Sequence, residues 1–172
     1  MTTGGLMAHT DSAGATQDLA ASLAELARPS DLLVLVGDLG AGKTAFTQGF
    51  GRGLGIDDQI TSPTFALVQS YTGRLDLYHL DVYRLDQVAE ALDLGLSELL
   101  DDGSVTVIEW GDAITPVLPH DYLEVHLRFV DDAGGVPLAD EREVELVPVG
   151  PRWAARVRAL GAAISPWAVG PC

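Results

Sequence analysis

Apolar residues fall along this chain in three rhythms. The first is helical: from Ala15 to Ala27, "ATQDLAASLAELA" sets Leu19, Leu23 and Leu26 on one face, and Pro29 with Ser30 closes the pattern. The second is continuous. "LLVLVG", Leu32 to Gly37, and "VTVI", just before Glu109, offer apolar side chains to both sides, and each predicts a strand buried between two layers. The third alternates. In "YLEVHLRFV", Leu123, Val125, Leu127 and Phe129 share one face while Glu124, His126 and Arg128 share the other, and "REVELVPV" repeats the rhythm, so the two predict a hairpin around "DDAGGVPLADE".

The segments between these follow from local signals. "FALVQSY" and "LDLYHLD", joined at "TGR", predict another hairpin, hence an antiparallel element in an otherwise α/β arrangement. A helix is expected from Lys43 to Leu54 with Gly55 as its stop, and the spacing of Gly49, Gly51 and Gly53 suits close packing against the sheet. "QVAEALDLGLSELL" predicts a helix interrupted at Gly95, "GDAITPVLPHD" a loop, and "RWAARVRAL" a last helix. Residues 1–14 read as a flexible extension, 15–162 as a single domain, and 163–172 as a flexible tail rich in Gly and Pro.

Composition narrows the classes of function. The longest apolar runs are strand-length, well below the roughly 18 to 20 residues of a membrane span, and the start lacks the features of a secretory signal, so a cytoplasmic protein is expected. One cysteine, Cys172, supports neither an internal disulfide nor a cysteine metal site. A formal net charge of −15 weighs against direct, tight nucleic-acid binding, because such binding depends on cations meeting phosphates. The basic residues are nine arginines and a single lysine, Lys43. An arginine bias has a compositional explanation, but composition does not choose where the one lysine stands.

Lys43 stands in "GDLGAGKT", Gly37 to Thr44, which matches G-x-x-x-x-G-K-[ST] between a predicted strand and a predicted helix. Such a loop turns backbone N–H groups into one concavity at a helix N-terminus, with the lysine reaching the outer phosphates and the hydroxyl able to ligate Mg²⁺. The candidate phosphate-binding residues are therefore Asp38, Leu39, Gly40, Ala41, Gly42, Lys43, Thr44 and Ala45, with Thr44 also a metal candidate. A phosphate loop does not by itself separate ATPase, GTPase, kinase and nucleotide-holding module. The absence of asparagine removes the Asn-Lys-x-Asp motif commonly used to read guanine.

Two carboxylates add to the site. Glu109 and Asp81 each end a predicted strand, at the sheet edge where open α/β folds bind ligands, and either one can hold Mg²⁺ or position the attacking water. A strand-ending, solvated acid is the plain alternative for each. "TSPTF", Thr61 to Phe65, occupies the place of a switch that senses an outer phosphate, with Ser62 and Thr64 supplying hydroxyls, although the same residues make ordinary turns. His79 suits packing or hydrogen bonding better than metal ligation; Arg84 suits a phosphate, a partner or a surface ion pair; Trp110 suits burial or an interface.

In this order, "GDLGAGKTAFTQGF", "SPTF", "LYHLDVYRL" and "VIEW" resemble one family, TsaE, also called YjeE, over about Ala15 to Leu160. The resemblance implies a P-loop NTPase-type three-layer α/β sandwich, a mixed and partly antiparallel sheet flanked by helices. It also implies ATP and Mg²⁺, slow intrinsic hydrolysis, and work beside TsaB and TsaD in making threonylcarbamoyladenosine in tRNA, with tRNA met only through that complex. By resemblance Lys43 and Thr44 are the phosphate and Mg²⁺ residues, Asp81 and Glu109 the acidic metal and catalytic residues, Thr64 lies in the switch, and Trp110 falls on the family's Glu-Trp pair. Departures are the N-terminal extension, Ala45 in place of a second threonine and Gly111 in place of a proline; none removes a phosphate ligand. A small-molecule kinase and a non-catalytic ATP-binding module are the competing functions.

Overall fold

A computed structural model of the chain describes residues 4–62, 68–82, 96–109 and 118–169. Within them a seven-stranded sheet runs in the order β1-β7-β6-β2-β5-β4-β3, with β1 at Leu6–Thr10, β2 at Leu32–Val36, β3 at Val68–Tyr71, β4 at Leu77–Asp81, β5 at Val105–Glu109, β6 at Tyr122–Asp131 and β7 at Pro137–Val149. Strands β6, β2, β5 and β4 are mutually parallel, whereas β3, β7 and β1 join antiparallel at the two sides. The expected mixed α/β sheet flanked by helices is what forms, and both expected hairpins pair, β3 with β4 and β6 with β7.

The continuous run in β2 reports two covered faces. Leu33 and Leu35 join one apolar cluster with helix α1 (Ala13–Ala24) and helix α2 (Lys43–Gly53), while Leu32 and Val34 join a second with Leu100 of helix α3 (Leu96–Asp101), Ile108 and Tyr122. Helix α1 begins where Ser12 accepts a 3.0 Å hydrogen bond from the Ala15 amide, an N-cap that satisfies an otherwise orphaned donor. Helix α2 ends at Gly55, which takes a positive φ of 76° that a side chain would resist.

The glycines of α2 serve a different neighbour from the one expected. A Cβ on Gly49 would stand 2.1 Å from the Gln17 carbonyl oxygen, and one on Gly53 would stand 2.6 Å from that of Ala21. Spaced four apart, these two glycines share a helix face and admit the backbone of α1, not the sheet. Gly51 makes room for Ile60.

Both ends of the chain also depart from expectation. Residues Leu6–Thr10 form an edge strand on β7 in register from Leu6 opposite Leu146 to Thr10 opposite Arg142, and Ala8 is fully buried. Residues 163–169 are likewise built in: a 3₁₀ turn at Ser165–Trp167 leads to a bridge between Ala168 and Ala8, and Val169 donates to the Met7 carbonyl. A short, weakly alternating segment offers little local signal, and pairing with a distant strand decides its structure. The last helix is divided into α4 (Pro151–Ala154) and α5 (Val157–Ala163) around Arg156, whose guanidinium turns inward to meet Asp31 through bonds of 2.6 and 2.8 Å, with the Trp153 ring 3.7 Å away. Phe129 is half-exposed instead of joining the core, because the register shifts between Phe129 and Asp131 as the hairpin leaves the sheet.

Candidate functional site

Parallel strands bring the candidate residues to one edge. Asp81 and Glu109 are the last residues of β4 and β5 and lie opposite each other in register, and β2 on the other side of β5 runs out into the glycine loop. Odd-numbered positions of β4 and β5 face α2, so His79, Asp81 and Glu109 share the side on which that helix begins. Gly40 and Gly42 take positive φ values of 81° and 104°, which lets the loop fold back over the N-terminus of α2. Lys43, 6% exposed, donates to the carbonyls of Gly37 at 2.6 Å and Asp38 at 3.0 Å, so its ammonium sits against the loop.

These elements enclose a cleft of about 220 Å³ lined by Leu39, Gly40, Gly42, Lys43, Thr44 and Ala45 on the loop side and by Ser62, Asp81 and Glu109 opposite. Of the loop residues expected at the phosphates, Asp38 and Ala41 do not line it. Ala41 is fully buried behind the loop, and Asp38 borders a separate hollow with His126 and Asp131. Thr64, Arg84 and Trp110 lie outside the described residues.

Polar contacts across the cleft are specific. The Thr44 hydroxyl donates to Glu109 Oε1 at 3.3 Å, and Ser62 donates to Asp81 Oδ2 at 3.4 Å. Glu109 is 2% exposed, so it is not a solvated strand end; its Oε2 lies 3.5 Å from Nε2 of His79, which is itself fully buried. Among the described residues, Asp81 Oδ1 and both ring nitrogens of His79 are buried without a hydrogen-bond partner. Burial, reinforced by the nearby Glu109 carboxylate, holds the Asp81 carboxyl above its ordinary value. Two carboxylates, one with an unsatisfied oxygen, and two hydroxyls form a set of hard oxygen ligands that suits Mg²⁺.

Two features were not legible in the motif. Arg142, on β7, donates from Nε to the Ala41 carbonyl at 3.1 Å and from Nη2 to that of Gly40 at 3.3 Å, while its guanidinium covers Phe129 at 4.5 Å. The contact spans 101 residues, and no local spacing signals it. His79 suits packing or hydrogen bonding by sequence, and its place under Glu109 follows only from the pairing of β4 with β5.

Fold and site define an α/β protein in which a glycine loop at the end of a central parallel strand faces two strand-ending carboxylates. The model of the family TsaE, threonylcarbamoyl adenosine biosynthesis protein TsaE, matches residues 10–134. A tRNA threonylcarbamoyladenosine biosynthesis protein TsaE from Bacillus subtilis is 42% identical over 139 residues, covering 80% of this chain and 82% of the relative. The protein of that description from Streptomyces coelicolor is 40% identical over 142 residues, covering 80% of this chain and 93% of its own length. Among solved structures, Bacillus subtilis YdiB superposes with a TM-score of 0.79 at 36% identity, covering 94% of this chain and 97% of that one. The chain belongs to the TsaE family of tRNA threonylcarbamoyladenosine biosynthesis proteins.

Proposed function

We propose that this protein is a slow, Mg²⁺-dependent ATPase that supports repeated turnover of the tRNA threonylcarbamoyladenosine machinery beside TsaB and TsaD, meeting tRNA only through that complex. The observation that carries the reading is the convergence of Lys43, Thr44, Asp81 and Glu109 on one cleft under a glycine loop. The Gly40 to Ala45 backbone would receive the outer phosphates, and Lys43 would move from the loop carbonyls to neutralise them. Thr44 and Glu109, already in contact, are the residues that would hold Mg²⁺, which when bound supplies charge neutralisation at the phosphates. Asp81, across the cleft beside Ser62, would accept a hydrogen bond from the attacking water and set its line of approach. The water oxygen bonds to the terminal phosphorus, the bond to the departing ADP oxygen breaks, and the water's proton leaves with phosphate or solvent.

His79 lies beneath Glu109 and limits where that carboxylate can move. The exposed Leu39 and the strong negative charge of the chain suit a partner surface that is apolar at its centre and basic around it. The test is the ATPase rate with and without TsaB and TsaD. A rate raised by the partners is expected; a rate indifferent to them, or a phosphorylated metabolite in place of free phosphate, would overturn the accessory-ATPase reading.

A further inference from the structure

Arg142 lies beyond residues 10–134, the segment matched by the family model, yet it makes two hydrogen bonds to the phosphate loop itself. Its bonds go to the carbonyls of Gly40 and Ala41, and Arg142 itself does not line the cleft. In a planar trans peptide the C=O and the following N–H point in opposite directions. Holding the Ala41 carbonyl toward β7 therefore turns the Gly42 N–H away from β7, toward the cleft that Gly42 lines. The Gly40 carbonyl fixes the Ala41 peptide in the same way, and the Ala41 amide closes a tight turn on the Asp38 carbonyl at 3.0 Å.

The anchoring end is itself fixed. Arg142 pairs in register with Thr10 on one side and Phe129 on the other, its guanidinium rests on the Phe129 ring at 4.5 Å, and Nη1 also donates to the Glu141 and Ala139 carbonyls at 2.7 and 3.1 Å. A loop containing three glycines would otherwise sample many conformations and would have to be ordered by the anion at the moment of binding.

We propose that Arg142 is a positioning residue of the phosphate site: it acts through the carbonyls of Gly40 and Ala41, holding the loop's tight turn and keeping the Gly42 amide aimed at the cleft before any nucleotide arrives. The proposal rests on the reading of the loop as a phosphate site, and its test separates the two. Hydrogen exchange of a peptide covering residues 38–46 is measured on the full chain without ligand for the native protein, Arg142→Ala and Arg142→Lys. Binding of ATP and of tripolyphosphate, which has no base, is titrated on the same samples. Loop exchange is expected to quicken several-fold in Arg142→Ala, and both ligands are expected to weaken together by roughly tenfold. Arg142→Lys keeps the charge but not the two-pronged donor, and is expected to recover less than half of the loss. Melting temperature and exchange elsewhere monitor the fold, so a change confined to residues 38–46 supports positioning. Unchanged loop exchange would overturn the proposal, as would ATP weakening while tripolyphosphate does not, which would make Arg142 a direct contact of the base. If the native protein binds neither ligand, the phosphate reading fails, and loop exchange still decides whether Arg142 orders the loop.

Discussion

The two sides of the sheet are stabilised differently. At the parallel strands β4, β5 and β2, strand ends converge, and the edge they form carries the buried Glu109, the part-buried Asp81 with an unsatisfied acceptor oxygen, and a lysine held by carbonyls. On the antiparallel side, β6 and β7 form a long hairpin with β1 on its edge, residues 165–169 are tucked against β1, and Arg156, which follows β7, meets Asp31 through two short bonds. On the first side an Asp81 oxygen lacks a partner among the described residues, whereas on the second both Asp31 carboxylate oxygens meet the Arg156 guanidinium, with its Nε left over. The contrast separates residues that cost stability for a site from residues that hold the frame.

Breaking the frame should give the largest effect. Asp31→Ala leaves the Arg156 guanidinium buried without its partner and should cost about 3–5 kcal/mol, read as a lower melting temperature, with activity per folded molecule retained. Breaking the site should act the other way round: Lys43→Ala should lower ATP turnover by about 10²–10³-fold while the melting temperature changes little, as checked by parallel phosphate-release and melting assays. Gly49→Ala lies between the two, since its methyl would meet the backbone of α1; a loss of about 1–3 kcal/mol is expected by denaturant titration.

The smallest effect should have the opposite sign. Asp81 has its folded pKa raised, so protonation favours the folded state; that contribution is complete below the ordinary value of 3.8 and lost as pH rises through the folded pKa. Above its folded pKa the ionised Asp81 therefore costs stability. Asp81→Asn should make the ligand-free protein more stable there, with the gain fading as pH falls toward 3.8, a trend that melting curves across pH would show.

What could be read from the sequence divides along the same line. The glycine loop, the strand before it and the carboxylates at two strand ends are local patterns with fixed spacing, and the sheet edge assembles them as that spacing implies. The hairpins were legible because alternation and turn chemistry act over a few residues. Strand β1, the break at Arg156 and the bonds from Arg142 to the loop depend on partners far away in sequence: Arg156 is 125 residues from Asp31, and Arg142 is 101 from Ala41. Arginine at those positions looks like any surface cation until the fold shows which carbonyl or carboxylate it meets. Glycine spacing in α2 announced a close approach but not its partner, because a helix face is defined by its sequence and its neighbour is not.

In the proposed ATPase, chemistry in the cleft, beyond holding a nucleotide, turns on Glu109. The most direct measurement is ATP binding and phosphate release by Glu109→Gln, a near-isostere that keeps the contact with Thr44 while removing the charge, each taken with TsaB and TsaD present. ATP binding is expected to stay within a few-fold of the native protein while turnover falls by about 10²-fold or more. Turnover at the native rate with binding intact would remove Glu109 from the hydrolytic step, and ATP binding without turnover by the native protein would leave the cleft a nucleotide-holding module.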